Sequence, residues 1–304
     1  MLPAFLTTFL FSSSILFASR SARELGGMRA NVSRLLVALL ILGTWSHGWG
    51  GGLGGAGLAW FFLSGAVGFG IGDMSMFASL PRIGPRLAIL ITQCLGAPIA
   101  GVAEYFILGT VPTPLELGCA GLILMGVALA LAPDQQLQVE PGRFRVGLLF
   151  GLGSAMGQAF GAVLSRKANA VAQVTGEMLD GGTAAYQRII AGVVFTLLGW
   201  WLLSIRGGAP AESSQKPEWR RAFPLVLGNA LSGPILGVAC FQWALSSTPS
   251  AVVLPIVSTS PLVTMGMAWF FQGTRPSARA IFGGVVAVIG ACGMAWIKTS
   301  LTRS

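Results

Sequence analysis

Four charged side chains stand inside or at the mouth of apolar runs, and any chemistry must start from them. They are Asp73 in GAVGFGIGDMSMFASL, Glu104 in GVAEYFIL, Arg34 in RLLVALL and Arg188 in RIIAGVV. A carboxylate at the centre of a bilayer-spanning helix costs roughly 2.5–3.5 kcal/mol on insertion scales, so it must face a wet cavity, hold a partner or take up a proton. Asp73 lies about 22 Å along its run at 1.5 Å per residue, inside a hydrocarbon core of ~30 Å. It is expected either to carry a coupling proton or hold a substrate amine, or else to pair with an arginine such as Arg82 or Arg34. Glu104 differs from it in depth by roughly 14 Å, so the two do not share a proton. Its alternatives are a second coupling group and a carboxylate snorkelling to the interface beside Tyr105. Arg34 and Arg188 open matching runs. Together they could grip a carboxylate or phosphate, or simply anchor their helices at the headgroups.

A second tier is polar but uncharged. Gln93, Gln158, Gln187, Asn229 and Gln242, with Trp243, suit the few placed polar groups of a mostly apolar ligand site. Each taken singly also suits an interhelical hydrogen bond. The glycine clusters GFGIG at 68–72 and GLGSAMG at 151–157 imitate phosphate loops. A dinucleotide fingerprint needs a strand before it and an acid about 20 residues on, and both clusters sit within apolar runs instead, so they read as helix-packing positions. Cys94, Cys119, Cys240 and Cys292 are scattered through apolar runs, and His47 is the one histidine. No metal or cofactor site is expected from them.

The elements that must hold these residues are membrane helices. The 304 residues are 54% hydrophobic and 10% charged, against about 25% charged in an ordinary soluble domain, with a mean hydropathy of +0.75. Leu35 to Gly72 contains no charge at all, more than one span's worth. The net charge of +9 falls between the apolar runs, which points to anionic lipid rather than nucleic acid. Leu2 to Ala18 lacks a basic residue before its apolar core and reads as a retained first span. Spans are expected near 2–22, 31–48, 57–79, 87–108 and 114–132, then 146–166, 184–205, 222–245, 251–271 and 278–297. Pro98, Pro234, Pro255 and Pro261 should break or kink their helices, and the cavity should be lined by the helices that carry them.

The two sets of five are related. Residues 108–130 align without a gap on 272–294, placing Gly109, Thr110, Pro112 and Gly126 over Gly273, Thr274, Pro276 and Gly290, and Arg34 matches Arg188. An odd number of spans per repeat gives the two copies opposite orientation, the inverted-repeat plan of secondary transporters with a site between the halves. The expected fold class is therefore an all-α membrane protein of ten transmembrane helices, with a first repeat at 1–132, a linker at 133–145 and a second repeat at 146–299.

In the order and spacing of these motifs the chain resembles the EamA-type transporters of the drug/metabolite transporter superfamily. The resemblance implies an inner-membrane, multi-pass exporter of amino acids, other small metabolites or drugs. It also implies a cavity between two bundles, with the fifth helix of each half as scaffold. Many relatives have Gly-Glu where this chain has Gly109-Thr110 and Gly273-Thr274, so no role of that glutamate transfers. The expected function is transport of a small metabolite such as an amino acid, with a proton as candidate driving ion, and not enzymatic catalysis. The alternative is an integral-membrane enzyme or flippase acting on a lipid-linked substrate. Expected partners are a small-molecule solute, the lipid bilayer and protons, with no nucleic acid and a monomeric or homodimeric state. Most basic residues fall on the side opposite the termini, so the positive-inside rule places the termini outside, whereas relatives more often keep both in the cytoplasm.

Overall fold

With no water in a bilayer core, each backbone amide must find its partner within the segment, and an apolar run of this length has one solution, the helix. The computed structural model describes residues 1–132, 141–205, 218–273 and 276–301. Ten helices among them are long and apolar enough to cross a membrane. They are α1 (Leu2–Leu25), α2 (Gly27–Gly48), α3 (Leu58–Leu80), α4 (Leu87–Leu108) and α5 (Pro114–Leu131), then α6 (Gly142–Val174), α7 (Gly181–Leu202), α8 (Trp219–Ser247), α9 (Ser250–Phe270) and α10 (Ala278–Ile297). Most of the linker expected at 133–145 lies outside the described residues, but its last residues already belong to the helix that becomes α6. Between α3 and α4 the backbone departs from helix only at Gly84, whose φ of 78° is open to glycine without strain.

The two turns that prompted the repeat reading share one device. Gly109 and Gly273 end α4 and α9 with φ of 68° and 69°, and each amide donates to the carbonyl four residues back, of Tyr105 and Trp269. After the first turn Thr113 and Glu116 form a reciprocal capping box, which satisfies amides that the start of α5 would otherwise leave bare. The second turn includes Thr274, which lies outside the described residues. The third helix of each half carries a π-helical stretch, Ala66–Asp73 in α3 and Leu231–Ile235 in α8. Such stretches are rare and interrupt the regular ladder.

Lipid tails are as apolar as leucine, so helices here associate by close packing at small residues. Gly68 and Gly72 of α3 face Gly157 and Gly161 of α6: a Cβ added at Gly157 would fall 2.4 Å from the Gly72 Cα, and one at Gly161 would fall 3.1 Å from the Gly68 Cα. The α5–α10 pair is built the same way. A Cβ at Gly126 would meet the Ala287 nitrogen and the Gly283 carbonyl at 2.5 Å.

The prolines behave unequally. Pro98 sits within an unbroken α4, contrary to expectation, while Pro234 lies in the π-helical stretch of α8. α9 is truly broken, at Ser258–Thr259, with Pro261 opening the second piece. Proline cannot donate to the carbonyl four residues back, here Val257, and the Ser260 hydroxyl does so instead at 2.6 Å. α1 crosses the break and supplies further hydroxyls, Thr8 to the Ile256 carbonyl at 3.2 Å and Ser12 to the Ser260 carbonyl at 2.8 Å.

On the side where the chain leaves α2 and enters α7, Asp180 joins the two helices. Its carboxylate accepts from the Thr183 hydroxyl (2.5 Å) and amide (3.0 Å), the Gly182 amide (2.9 Å) and the Trp45 indole (3.2 Å). Partial burial raises its pKa, but these donors together outweigh burial and hold it below the ordinary carboxylate value. A depressed carboxylate contributes stability above its unfolded pKa of about 3.9 and loses it as pH falls through the folded value. Asp180→Ala should therefore lower the stability of the detergent-solubilised protein by about 1 kcal/mol at pH 7, the usual worth of such a helix cap. In thermal melts from pH 7 down to pH 3 the gap between variant and wild type should narrow; a gap that stays constant would show that the carboxylate's charge contributes nothing, and no gap at pH 7 that the cap is idle.

Candidate functional site

Seven helices leave a cavity of about 220 Å³ between them. α1, α3 and α4 contribute from the first half, and α6, α7, α8 and α9 from the second. Its polar lining is Asp73, Thr92, Gln93, Ser154, Gln158 and Arg188, and much of the rest is aromatic or aliphatic, with Phe11, Phe69, Met76 and Phe241 prominent. Three of the polar groups are already committed. Gln158 donates its amide to the Gln93 side-chain oxygen at 3.2 Å, and Thr92 returns its hydroxyl to the Ala88 carbonyl at 3.0 Å.

The charged end of the cavity follows from the glycine crossing. Asp73 comes directly after Gly72, at the close of the π-helical stretch, and its side chain is 32% exposed. Arg34 reaches it from α2, with Nη2 at 3.7 Å from Asp73 Oδ2, while its Nε donates to Asn31 Oδ1 at 2.8 Å. α2 begins at Gly27, so Arg34 lies about two turns inside it, with its guanidinium turned to Asp73. Arg188 is deeper, with 5% of the residue exposed. Its guanidinium carbon sits 5.3 Å over the Phe69 ring, and its Nε and Nη1 are buried without a hydrogen-bond partner among the described residues. Missing side chains make room for it: a Cβ at Gly68 would stand 3.2 Å from Nη2, and one at Gly65 would overlap the Arg188 carbonyl.

Glu104 is elsewhere and is not a surface group. It is 1% exposed, which overturns the snorkelling alternative. Arg166 of α6 meets it with Nε at 2.6 Å from Oε1, and its other oxygen accepts the Ser250 amide at 2.7 Å and the Ser250 hydroxyl. Arg166 also donates through Nη1 to the Leu245 carbonyl at 3.1 Å. One ion pair thus ties α4 of the first half to α6, the end of α8 and the start of α9. It lies roughly 16 Å from Gln93 along α4 and roughly 12 Å from Gln158 along α6, toward the side on which α2, α4, α6 and α8 end. Asp73 and Glu104 are therefore held in separate clusters.

The remaining candidates fall outside the cavity. Trp243 is 53% exposed on the outer surface of α8 and is not among the residues that line this cavity, which follows from the rotation of its helix. Gln242 is 1% exposed, off the cavity wall, with neither amide atom hydrogen-bonded among the described residues. Gln187 holds the α2–α3 connector through the Gly52 and Gly54 carbonyls at 3.1 and 2.9 Å. Asn229 accepts from Ser14 at 2.7 Å. The sequence reading missed Phe11, Phe69, Thr92, Ser154 and Phe241 in the lining, and Arg166 with Ser250 at the second cluster. Ser154 and Gln158, four apart beside Gly157 and Gly161, share a helix face that the spacing alone could have revealed. Arg34, Arg166 and Arg188 all lie inside the bundle, so they say nothing of orientation across the membrane.

The model of the EamA-like transporter family matches residues 1–132 and 145–296. No curated protein matches the sequence. Among solved structures, one described only as the crystal structure of a protein is similar, with a TM-score of 0.75 and 16% identity, covering 99% of this chain and 97% of that chain. At that identity the likeness speaks for the fold alone.

The second cluster can be tested on its own. Removing one member of a buried, hydrogen-bonded ion pair costs about 3–5 kcal/mol because the other charge stays buried and uncompensated. Glu104→Gln should destabilise the solubilised protein by about that amount, and adding Arg166→Met should recover most of the loss. Equal melting temperatures for wild type and Glu104→Gln would mean that the pair bears no load.

Proposed function

The chain belongs to the EamA-like transporter family, and on that premise we propose that it exports a small amphipathic metabolite, an amino acid or similar solute, by alternating access, with Asp73 as carrier of a coupling proton. A membrane transporter of the drug/metabolite type is what the family and the ten apolar helices establish. The observation that carries the finer reading is the cavity, which both halves line and which holds a single acid among its described lining residues. At about 220 Å³ it falls below the roughly 300–1,000 Å³ of pockets for drug-sized ligands, which favours a metabolite over a bulky drug.

The coupling argument is electrostatic. Asp73 and Arg34 make a charge contact at 3.7 Å that lacks the hydrogen bonds of a tight pair. A proton on Asp73 cancels its attraction for Arg34 and leaves that guanidinium, whose side chain is only 20% exposed, in search of another partner. α2 and α3 are the helices whose relation then changes. Access from the opposite side requires Glu104 to part from Arg166 and Ser250. The Glu104–Arg166 contact is thus the interaction between the halves that this movement has to release.

The test is flux in proteoliposomes loaded with a mixture of labelled amino acids, with and without an imposed pH gradient. Wild type should move at least one component, faster when the gradient drives it. Asp73→Asn should exchange the same solute at equilibrium yet lose the response to the gradient. Gradient-driven flux that survives Asp73→Asn would assign coupling elsewhere, and a protein that moves no amino acid would reject that solute class.

A further inference from the structure

We infer that Arg188 is the anion-binding subsite of the cavity and that the solute it selects is an organic monocarboxylate with a compact apolar body. The inference deepens the transport reading, on which it rests for the solute's fate but not for its binding. Its first ground is the state of the arginine. A guanidinium carries five donors, and when buried it normally spends them on carboxylates or carbonyls. Arg188 is 5% exposed, yet its Nε and Nη1 have no acceptor among the described residues. Among the described residues its neighbours are the Phe69 ring, on one face at 5.3 Å, and the charge of Asp73 at longer range. A ring on the face leaves the in-plane donors without a competing acceptor, and a carboxylate binds such in-plane donors with two parallel hydrogen bonds.

The second ground is the charge balance. Asp73 and Arg188 are the charged residues that line the cavity, and Asp73 is engaged from behind by Arg34. Those three sum to a single positive charge. One monoanion neutralises it, whereas a phosphate dianion would leave an excess of negative charge and an amine would add a second positive one. No free acid remains for an ammonium group while Arg34 holds Asp73. The carboxylate is therefore the recognised end of an amino-acid-like solute, and its amine is optional. Phe11, Phe69, Phe241 and Met76 suit the other end.

The third ground is what the arrangement costs the protein. A buried cation without hydrogen-bond acceptors destabilises the fold, and a site that needs such a group trades stability for function. If Arg188 serves binding, its replacement by an apolar side chain of similar length should stabilise; if it serves packing, the same change should weaken.

The experiment is thermal unfolding of the purified full chain in detergent, with four probes sharing one phenyl ring: 3-phenylpropionate, 3-phenylpropionamide, phenethylamine and phenyl phosphate. The carboxylate should raise the melting temperature of wild type more than the other three. Arg188→Met should melt higher than wild type without ligand and bind the carboxylate at least tenfold more weakly, and Arg188→Lys should keep part of the response. The assignment is overturned if no probe stabilises wild type, if the amide or amine matches the carboxylate, if phenyl phosphate exceeds it, if Arg188→Met keeps the full response, or if that variant melts lower unliganded. Carboxylate binding through Arg188 in a protein that passes no solute in vesicles would uphold this inference and defeat the transport reading. Unaltered flux in Arg188→Met would do the reverse.

Discussion

The backbone contact between Gly68 and Gly72 of α3 and Gly157 and Gly161 of α6 is the constraint on which the cavity depends. Leucine-like side chains gain nothing by meeting each other in lipid, so two helices come together only where their backbones can touch. That crossing fixes two things at once. It sets the next residue, Asp73, at the cavity wall, and it leaves beside Gly68 and Gly161 the space that the Arg188 guanidinium enters. A single methyl at Gly157 would push α3 away from α6. The glycines that resemble a phosphate loop in the sequence thus act as spacers that admit charge into the membrane interior.

Once admitted, the charges sort by how completely they are satisfied. Glu104 and Arg166 are in charge contact and each is hydrogen-bonded besides, Glu104 to Ser250 and Arg166 to the Leu245 carbonyl, so their cluster binds the two halves together. Asp73 and Arg34 touch loosely, and Arg188 not at all. In a low-dielectric medium an unsatisfied charge is the group with most to gain from a ligand or a proton. The broken α9 lies between the two regions, with the Thr8 and Ser12 hydroxyls of α1 on carbonyls at either side of the break. Hydroxyl contacts of this kind are individually modest, about 0.6 kcal/mol on average in membrane proteins, and so are suited to being exchanged.

The ten helices were legible because hydrophobic length is a strong signal and nothing competes with it in lipid. Their ends were less so. α6 runs on through Arg166 and Lys167 to Val174, and because sequence reading stops a span at its first charges, Arg166 passed for a loop residue. Burial decided the reverse case as well: Glu104 beside Tyr105 looks like an interfacial pair, but Tyr105 faces outward while the adjacent side chain turns inward. Asp73 and Arg188 announced themselves because charge is conspicuous in an apolar run. Phe11, Phe69 and Phe241 did not, since among 18 phenylalanines only the rotation of each helix tells a lining ring from a lipid-facing one. Trp243 was hard to place for the same reason. It follows a lining residue, Phe241, and a buried one, Gln242, yet is itself 53% exposed.

The two arginines occupy matching places in the two halves and differ in state. Arg34 and Arg188 both sit about two turns into the second helix of their half. The acid beside them comes from one half alone. Asp73 lies in the third helix of the first half, and the third helix of the second half, α8, offers the uncharged stretch LSGPI at its own π-helical turn. Two cations therefore share one acid, and the nearer takes it. An inverted repeat with a partner in each half would have given two closed ion pairs and a neutral, inert interior. Because one partner is missing, the interior keeps a net positive charge, and from that asymmetry the cavity acquires its preference for an anion.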